Sequence, residues 1–387
     1  MCRIRSIFVS TLLLSTCLFA QETFDAFIVR ANPEKDSVKK SALISEYLSK
    51  LGEPFIEGDV VHFYYRGKGN LVEAPGELNS WTPPRGSMIR LTHSDFFYRS
   101  DTLPQTARVE YKLRVDSTWI LDPLNPRKAA GGFGDNSDLW MPQYRPYTIT
   151  YDPAIPHGRL DTLWIESKYL KRTHPVIVYY PPDAADVIGL PTMIVTDGAD
   201  YITLGSMTLI LDDLIDSKRI KPVVGLFVDP RSVLNDNSTN ERMSEYGAND
   251  AYLDFLQKEV VPAVEKKYPV SKSVNDRVMI GASMGGLIST YAVLARRGFV
   301  TKAGAQSPAF LQADSAVMKL SERIHTATVT LFMSSGTIHD TQKEATFVRD
   351  KLLLKGARIK YLETPEGHNW TNWRKQTPLM LEYFFAR

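Results

Sequence analysis

From about residue 159 to the end, seven short apolar runs alternate with amphipathic stretches, and no other feature of the chain constrains its fold as much. The runs are HPVIVYYPP, PTMIVTDG, KPVVGLFVD, DRVMIGAS, TKAGAQSP, TVTLFMSSG and RIKYLETP. Apolar and largely β-branched, they read as strands buried on both faces, which a parallel sheet covered by helices requires. DAYLDFLQKEVVPAVEKKY and TQKEATFVRDKLLLKG lie between them and have helical periodicity. Residues 159–387 are therefore expected to form an α/β domain, a mostly parallel sheet flanked by helices.

Upstream the period changes. Residues 59–146 carry DVVHFYYRG, NLVEAPG, SMIRLTH, FFYRSDTL, ARVEYKLRVD and TWILDP. These strand-like runs separated by turn residues are the pattern of a small β-sandwich. The polar, glycine-rich RKAAGGFGDNSDLWMPQYRP reads as an exit segment and 147–158 as a linker. A segment from 21 to 58 precedes the sandwich, with a helix expected at SVKKSALISEYLSKLG.

The first twenty residues, MCRIRSIFVSTLLLSTCLFA, place Arg3 and Arg5 before an apolar run and end in Ala20, as a secretory signal does. The run is shorter than the roughly 20 residues of a spanning helix. A periplasmic or secreted protein starting near Gln21, with no membrane span, is expected. Thr16 argues against lipidation of Cys17, being larger than the residue that usually precedes a lipidated cysteine. Cys2 and Cys17 are the only cysteines, so disulfides and thiol catalysis are excluded once this segment is removed. The chain has 46 Lys and Arg, two of them in this segment, against 44 Asp and Glu. That balance gives no electrostatic reason to bind nucleic acid or anionic lipid.

Gly281-Ala282-Ser283-Met284-Gly285 fits G-x-S-x-G and follows a strand-like run just before a helical pattern, the context in which such a serine is a nucleophile. A serine hydroxyl needs a base, and in an α/β-hydrolase topology the order runs serine, acid, histidine. His325, His339 and His368 follow Ser283. His325 sits in a helix-like stretch and reads as a surface residue; His339 reads as incidental. His368, in the loop ETPEGHNW after the last run, is the expected base. Asp340 follows the preceding run and is the expected acid, which would hold the imidazole tautomer and orientation. Its alternative role is to cap the helix starting at Thr341, and Glu366 is a rival carboxylate. The oxyanion donors are expected to be the N–H of Met284 and of Gly198 or Ala199 in VTDGADYITLG. Asp197, Asp200 and Tyr201 either line the pocket or form a polar turn. The histidines are too dispersed to suggest a metal site, and no cofactor is implied.

The span from about residue 170 to the end resembles the putative-esterase group of α/β-hydrolases, which includes enterochelin, feruloyl and acetyl-xylan esterases and esterase D. The resemblance rests on DGADY, the segment VDPRSVLNDNSTNERMSEYGANDAYLDFLQKEVVPAVEKKYPV, GASMGGL, SGTIHD and PEGHNWTNW. It implies an α/β-hydrolase fold, the same Ser283, Asp340 and His368 roles, and a substrate cleft near Arg242, Glu245 and Tyr246. Tyr201, Asp200 and Trp370 join Arg242 and Tyr246 as expected substrate-binding residues. Arg242 either binds a substrate carboxylate or sugar hydroxyl, or pairs with Glu245 and braces the loop. Residues 60–140 resemble the glycogen-binding-like β-sandwich that precedes such domains, in LNSWTP, VEYKLRVDSTWILDP and LNPRKAAGGFGDNSDLW. Trp81 and Trp119 are expected in its core rather than on a sugar.

A secreted serine esterase is the leading expectation, acting on feruloyl or acetyl esters of plant polysaccharide. A siderophore esterase, an acyltransferase and a non-catalytic carbohydrate-binding protein are the alternatives.

Overall fold

In the computed structural model, residues 22–50, 55–184, 186–234, 236–325 and 328–387 are described. The expected signal segment 1–20 lies outside them. Among the described residues no helix is long and apolar enough to cross a membrane.

The seven apolar runs all become strands of one eight-stranded sheet, with an additional strand before them. In chain order these are β1 (Arg159–Ser167), β2 (Arg172–Tyr180), β3 (Thr192–Thr196), β4 (Val224–Val228), β5 (Arg277–Ala282), β6 (Lys302–Gln306), β7 (Thr330–Gly336) and β8 (Arg358–Thr364). Their spatial order is β1-β2-β4-β3-β5-β6-β7-β8. β2 is antiparallel to both neighbours, and every other pairing is parallel. Every residue of β3, β4 and β5 is buried, because helices cover both faces of the sheet centre. β1 was not expected as a strand. It forms an edge and alternates in burial, with Leu160 and Trp164 exposed, so it lacks the continuous apolar signature of its neighbours. β8, the other edge, also alternates. This is the α/β-hydrolase arrangement, and it brings the loops after β3, β5, β6, β7 and β8 to one rim.

The front of the chain is built from three small antiparallel sheets. One has four strands in the order Phe55–Glu57, Val60–Arg66, Phe96–Thr102 and Ile89–Arg90. The second contains Arg108–Tyr111, Asn136–Trp140 and Lys128–Ala129, and the third Val72–Glu73, Leu113–Val115 and Thr118–Ile120. Period-2 alternation lets one strand serve two cores. Phe63 and Phe97 join Val109, Leu113 and Leu139 inside, whereas Tyr64 and Phe96 face the opposite way onto Phe24, Phe27 and Tyr47. Those last three come from helices Phe24–Ala31 and Ser37–Leu48, and Phe27 stacks on Tyr47 at 3.9 Å.

Two expectations need correction here. The N-terminal segment is packed into the sheet instead of preceding it, since Phe55–Glu57 pairs with Val60–His62. The exit segment supplies two strands, Lys128–Ala129 and Asn136–Trp140, hidden by their short lengths and by the glycines between them.

Residues 141–158 cross from the β-rich half to the sheet. Their end is fixed by Asp212, whose buried carboxylate accepts from Gly158 N–H at 2.9 Å and Tyr179 Oη at 2.7 Å and bonds His157 Nδ1 at 2.8 Å. Asp212→Ala would strand the buried Tyr179 hydroxyl and is expected to cost about 3 kcal/mol, read as a lower urea midpoint. The bond to Asp212 also raises the pKa of His157. A raised folded-state pKa gives stability that is fully present below the ordinary histidine value and is lost as pH rises from there through the raised value. The wild type should therefore lose stability across that window, and Asp212→Ala should flatten this part of the pH profile.

Candidate active site

Ser283 closes β5 and caps helix Met284–Ala295, with backbone angles φ 57° and ψ −119°. Non-glycine residues rarely occupy this region, and holding one there costs roughly 1–3 kcal/mol. The turn is tight enough that a Cβ at Gly281 would meet the Gly285 carbonyl and the Thr196 hydroxyl, and one at Gly285 would meet the same hydroxyl. Ser283 itself is anchored by N–H to Gln306 O at 2.8 Å, and its carbonyl accepts from Ala309 and Leu287 at 3.0 Å each.

His368 lies in the loop after β8. Its Nδ1 bonds Asp340 Oδ1 at 2.7 Å, and the Asp340 carboxylate is fully buried. The other oxygen accepts from Ser307 Oγ and from Gly336 N–H, both at 2.6 Å. Burial works against the charge of Asp340, but the bonds from His368, Ser307 and Gly336 outweigh it and hold the carboxyl below its usual range. Asp340 does not cap the following helix, whose N-cap is Thr341 without a side-chain bond. Glu366, the rival carboxylate, is buried and bound to Lys375 Nζ at 2.9 Å. His339 and His325 are exposed, and His339 borders the site.

Ser307 and Trp373 were not anticipated. Ser307 stands at the end of β6, and Trp373 Nε1 donates to its Oγ at 2.9 Å. The Trp373 ring packs edge-on against His368 at 5.0 Å. Trp373 closes the segment PEGHNWTNW but no role was read for it, and only the strand-end position of AQSP hinted at Ser307.

The loop after β3 turns at Asp197, which has φ 53° and begins the short helix Gly198–Thr203. Arg242 clamps this turn through Nε and Nη2 to the two Asp197 oxygens at 2.7 and 2.9 Å. The same Nη2 donates to Ala282 O at 3.1 Å, next to Ser283. Arg242 thus braces the rim by way of Asp197 instead of Glu245, which lies against His174 and Arg172. The Ala199 N–H is taken by Asp229 Oδ2 at 2.9 Å. It is therefore unavailable as an oxyanion donor, leaving Gly198 alongside Met284.

Two expected substrate residues turn inward. Tyr201 is fully buried with its hydroxyl on Gln306 Oε1 at 2.8 Å, and Tyr246 is fully buried and accepts the Asp197 N–H at 2.9 Å. Asp200 and Trp370 do line the cavity, although Asp200 is paired with Arg231 at 2.9 Å.

That cavity measures about 790 Å³ and is bounded by Ser283, His368, Asp197, Arg242 and Trp370 on the α/β side. The β-rich half supplies the opposite wall with Trp81, Trp119, Phe133, Lys112, Glu77 and Glu110. Trp119 is 45% exposed and Phe133 fully so. Trp81 and Trp119 therefore face the cleft, contrary to the core expectation, because the sandwich fills its interior with Phe63, Phe97 and Tyr111. A second cavity of about 420 Å³, lined by Met284, Gln312, His339 and Glu344, opens on the other side of Ser283 and His368.

Comparison with known proteins agrees with this architecture. The chain is 29% identical over 177 residues to the iron(III) enterobactin esterase of Escherichia coli O6:H1, a match covering 45% of this chain and 42% of that protein. It thus spans less than half the length of that relative. It is 24% identical over 237 residues to the Bacillus subtilis protein YbbA, covering 54% of this chain and 92% of YbbA. In structure it is similar to the ferric enterobactin esterase of Salmonella typhimurium, with a TM-score of 0.68 at 20% identity, covering 84% of this chain and 93% of that one. The sequence profile described as putative esterase matches residues 167–384, more than half of the chain, and the protein belongs to that family of carboxylic-ester hydrolases.

Proposed function

We propose that the chain hydrolyses its ester through Ser283, His368 and Asp340. The observation that carries this reading is the bond from His368 Nδ1 to the buried Asp340, with Ser283 and His368 lining one cavity. Bonded at Nδ1, the imidazole presents Nε2 as the free base. Ser283 Oγ attacks the carbonyl carbon as Nε2 takes its proton, and the Met284 and Gly198 N–H groups hold the resulting oxyanion. The intermediate collapses, His368 returns the proton to the departing alcohol, and an acyl-enzyme remains. Water then attacks the acyl carbon with His368 again as base, releasing the acid and restoring Ser283.

For the substrate we propose a soluble ester carrying planar rings. Trp81, Trp119, Phe133 and Trp370 border the cavity and offer faces on which a ring can stack. The match to an iron(III) enterobactin esterase favours a siderophore-type ester that carries aromatic rings. A feruloyl ester of polysaccharide is the second reading, since the same indoles stack on ferulate and on sugar rings. The proposal extends to export, supported by the signal-like residues 1–20; a mature N terminus near Gln21 would be its check.

Ser283→Ala is expected to abolish turnover of nitrophenyl acetate while the protein stays folded, and undiminished turnover would end the nucleophile assignment. Asp340→Asn should lower kcat on the order of 10³–10⁴-fold, measured with the same ester. Trp119→Ala should raise KM for a feruloyl or catechol-bearing ester about three- to tenfold, the worth of one aromatic stacking contact, and leave that for the smaller nitrophenyl acetate unchanged. Parallel assays for released catecholate acid, ferulate and acetate, with and without added sugar acceptor, separate the substrate readings from acyl transfer.

A further inference from the structure

The loop bearing His368 is gripped from outside its own domain. Strand Arg108–Tyr111 of the β-rich half runs beside it, with Arg108 N–H donating to Pro365 O at 3.2 Å and a single parallel bridge between Arg108 and Glu366. Glu77, also from the β-rich half, places its carboxylate against both chain neighbours of His368. Its Oε1 accepts from Asn369 Nδ2 at 2.7 Å, and a Cβ at Gly367 would collide with its carboxyl carbon. Its Oε2 accepts from Glu110 N–H at 2.9 Å, which fixes the carboxylate to the sheet. Arg108 is fully buried and completes the grip, donating from Nη1 to Asn369 Oδ1 at 2.8 Å and from Nη2 to Glu110 Oε1 at 2.9 Å.

This joint is expensive. Glu77, Glu110, Asp138 and Glu366 are all buried about Arg108 and Lys375, and apolar packing would join two units at lower desolvation cost. Burial and the neighbouring Glu110 push the carboxyl of Glu77 up to about 8, against the opposing pull of Arg108. What the polar arrangement provides that apolar packing would not is direction. Both ends of the Asn369 side-chain amide are held by residues of the β-rich half, and Asn369 is covalently next to the imidazole.

We infer that Glu77, with Arg108 behind it, is a positioning residue that sets the stance of the His368 imidazole through Asn369. The β-rich half is on this view part of the catalytic apparatus as well as a wall of the cleft. The inference rests on the triad assignment. It concerns an ester too small to reach Trp119 as much as a large one, which separates it from substrate contact.

The test compares Glu77→Ala, Glu77→Gln and Asn369→Ser with wild type and Ser283→Ala, using nitrophenyl acetate and recording thermal midpoints. Asn369→Ser keeps a side chain able to cap the last helix, now capped by Asn369 Oδ1 on Asn372 N–H at 2.8 Å, but is too short to reach Glu77. Glu77→Ala and Asn369→Ser are expected to lower kcat about 10- to 100-fold with KM within twofold, as displacement of a catalytic group by about 1 Å does. Glu77→Gln retains an acceptor for Asn369 and should recover most of kcat. Wild-type kcat in either folded link-breaking variant, or a Gln variant as impaired as the Ala variant, would overturn the inference. If Ser283→Ala is inactive while those variants behave as wild type, only the positioning role fails; if Ser283→Ala stays active, the triad assignment itself fails.

Discussion

Everything at the rim depends on holding the backbone of one residue where an L-amino acid does not rest. Ser283 at φ 57° projects from the end of the central strand instead of continuing the sheet, and the local cost must be met by its surroundings. Both neighbouring strands contribute. β6 receives the Ser283 N–H on Gln306, β3 crowds the turn with Thr196 so that only glycine fits at 281 and 285, and the β3 loop is tied to Ala282 through Asp197 and Arg242. The strain is thus spread over a parallel sheet whose centre is buried on both faces, the part of such a fold least able to relax.

The acid and base are placed by a different logic. Asp340 reaches His368 from a loop, and its carboxylate is fixed by the Gly336 N–H, the Ser307 hydroxyl and the imidazole. Trp373 closes the chain of contacts by holding Ser307 with its indole N–H and His368 with its ring. The last helix therefore acts on the acid and the base together. On its outer side the same loop meets Glu77 and Arg108, so the residue that would move the proton stands between the eight-stranded sheet and the β-rich half.

Much of this was legible in the sequence, and what was not has physical reasons. Strands buried on both faces announce themselves by continuous apolar runs, so β2 to β7 could be read; β8 alternates at the other edge but still carries Ile359, Tyr361 and Leu362. β1 alternates at an edge, and the strands within 127–140 are short and separated by a glycine-rich stretch, so neither gives that signal. Ser283, Asp340 and His368 could be found because topology orders them along the chain. Tyr201 and Tyr246 were misplaced because a tyrosine in a loop motif can turn either way, and here a buried hydroxyl partner, Gln306 or the Asp197 N–H, decided it. Arg242 and Glu245 are neighbours in sequence, yet Arg242 found its partner on the loop after β3 and Glu245 its partners on β2. The cleft aromatics Trp81 and Trp119 and the Glu77 contact depend on how two units dock, which no local pattern encodes.

The meeting of Ser283 and His368 at one rim, beneath two backbone donors, can be tested by a crystal structure of the protein after reaction with a fluorophosphonate. Phosphorus bonded to Ser283 Oγ, its phosphoryl oxygen accepting from the Met284 and Gly198 N–H groups, with His368 Nε2 within hydrogen-bond reach of the adduct, is the expected result. An adduct on another residue, or one on Ser283 whose phosphoryl oxygen points away from both donors, would contradict it.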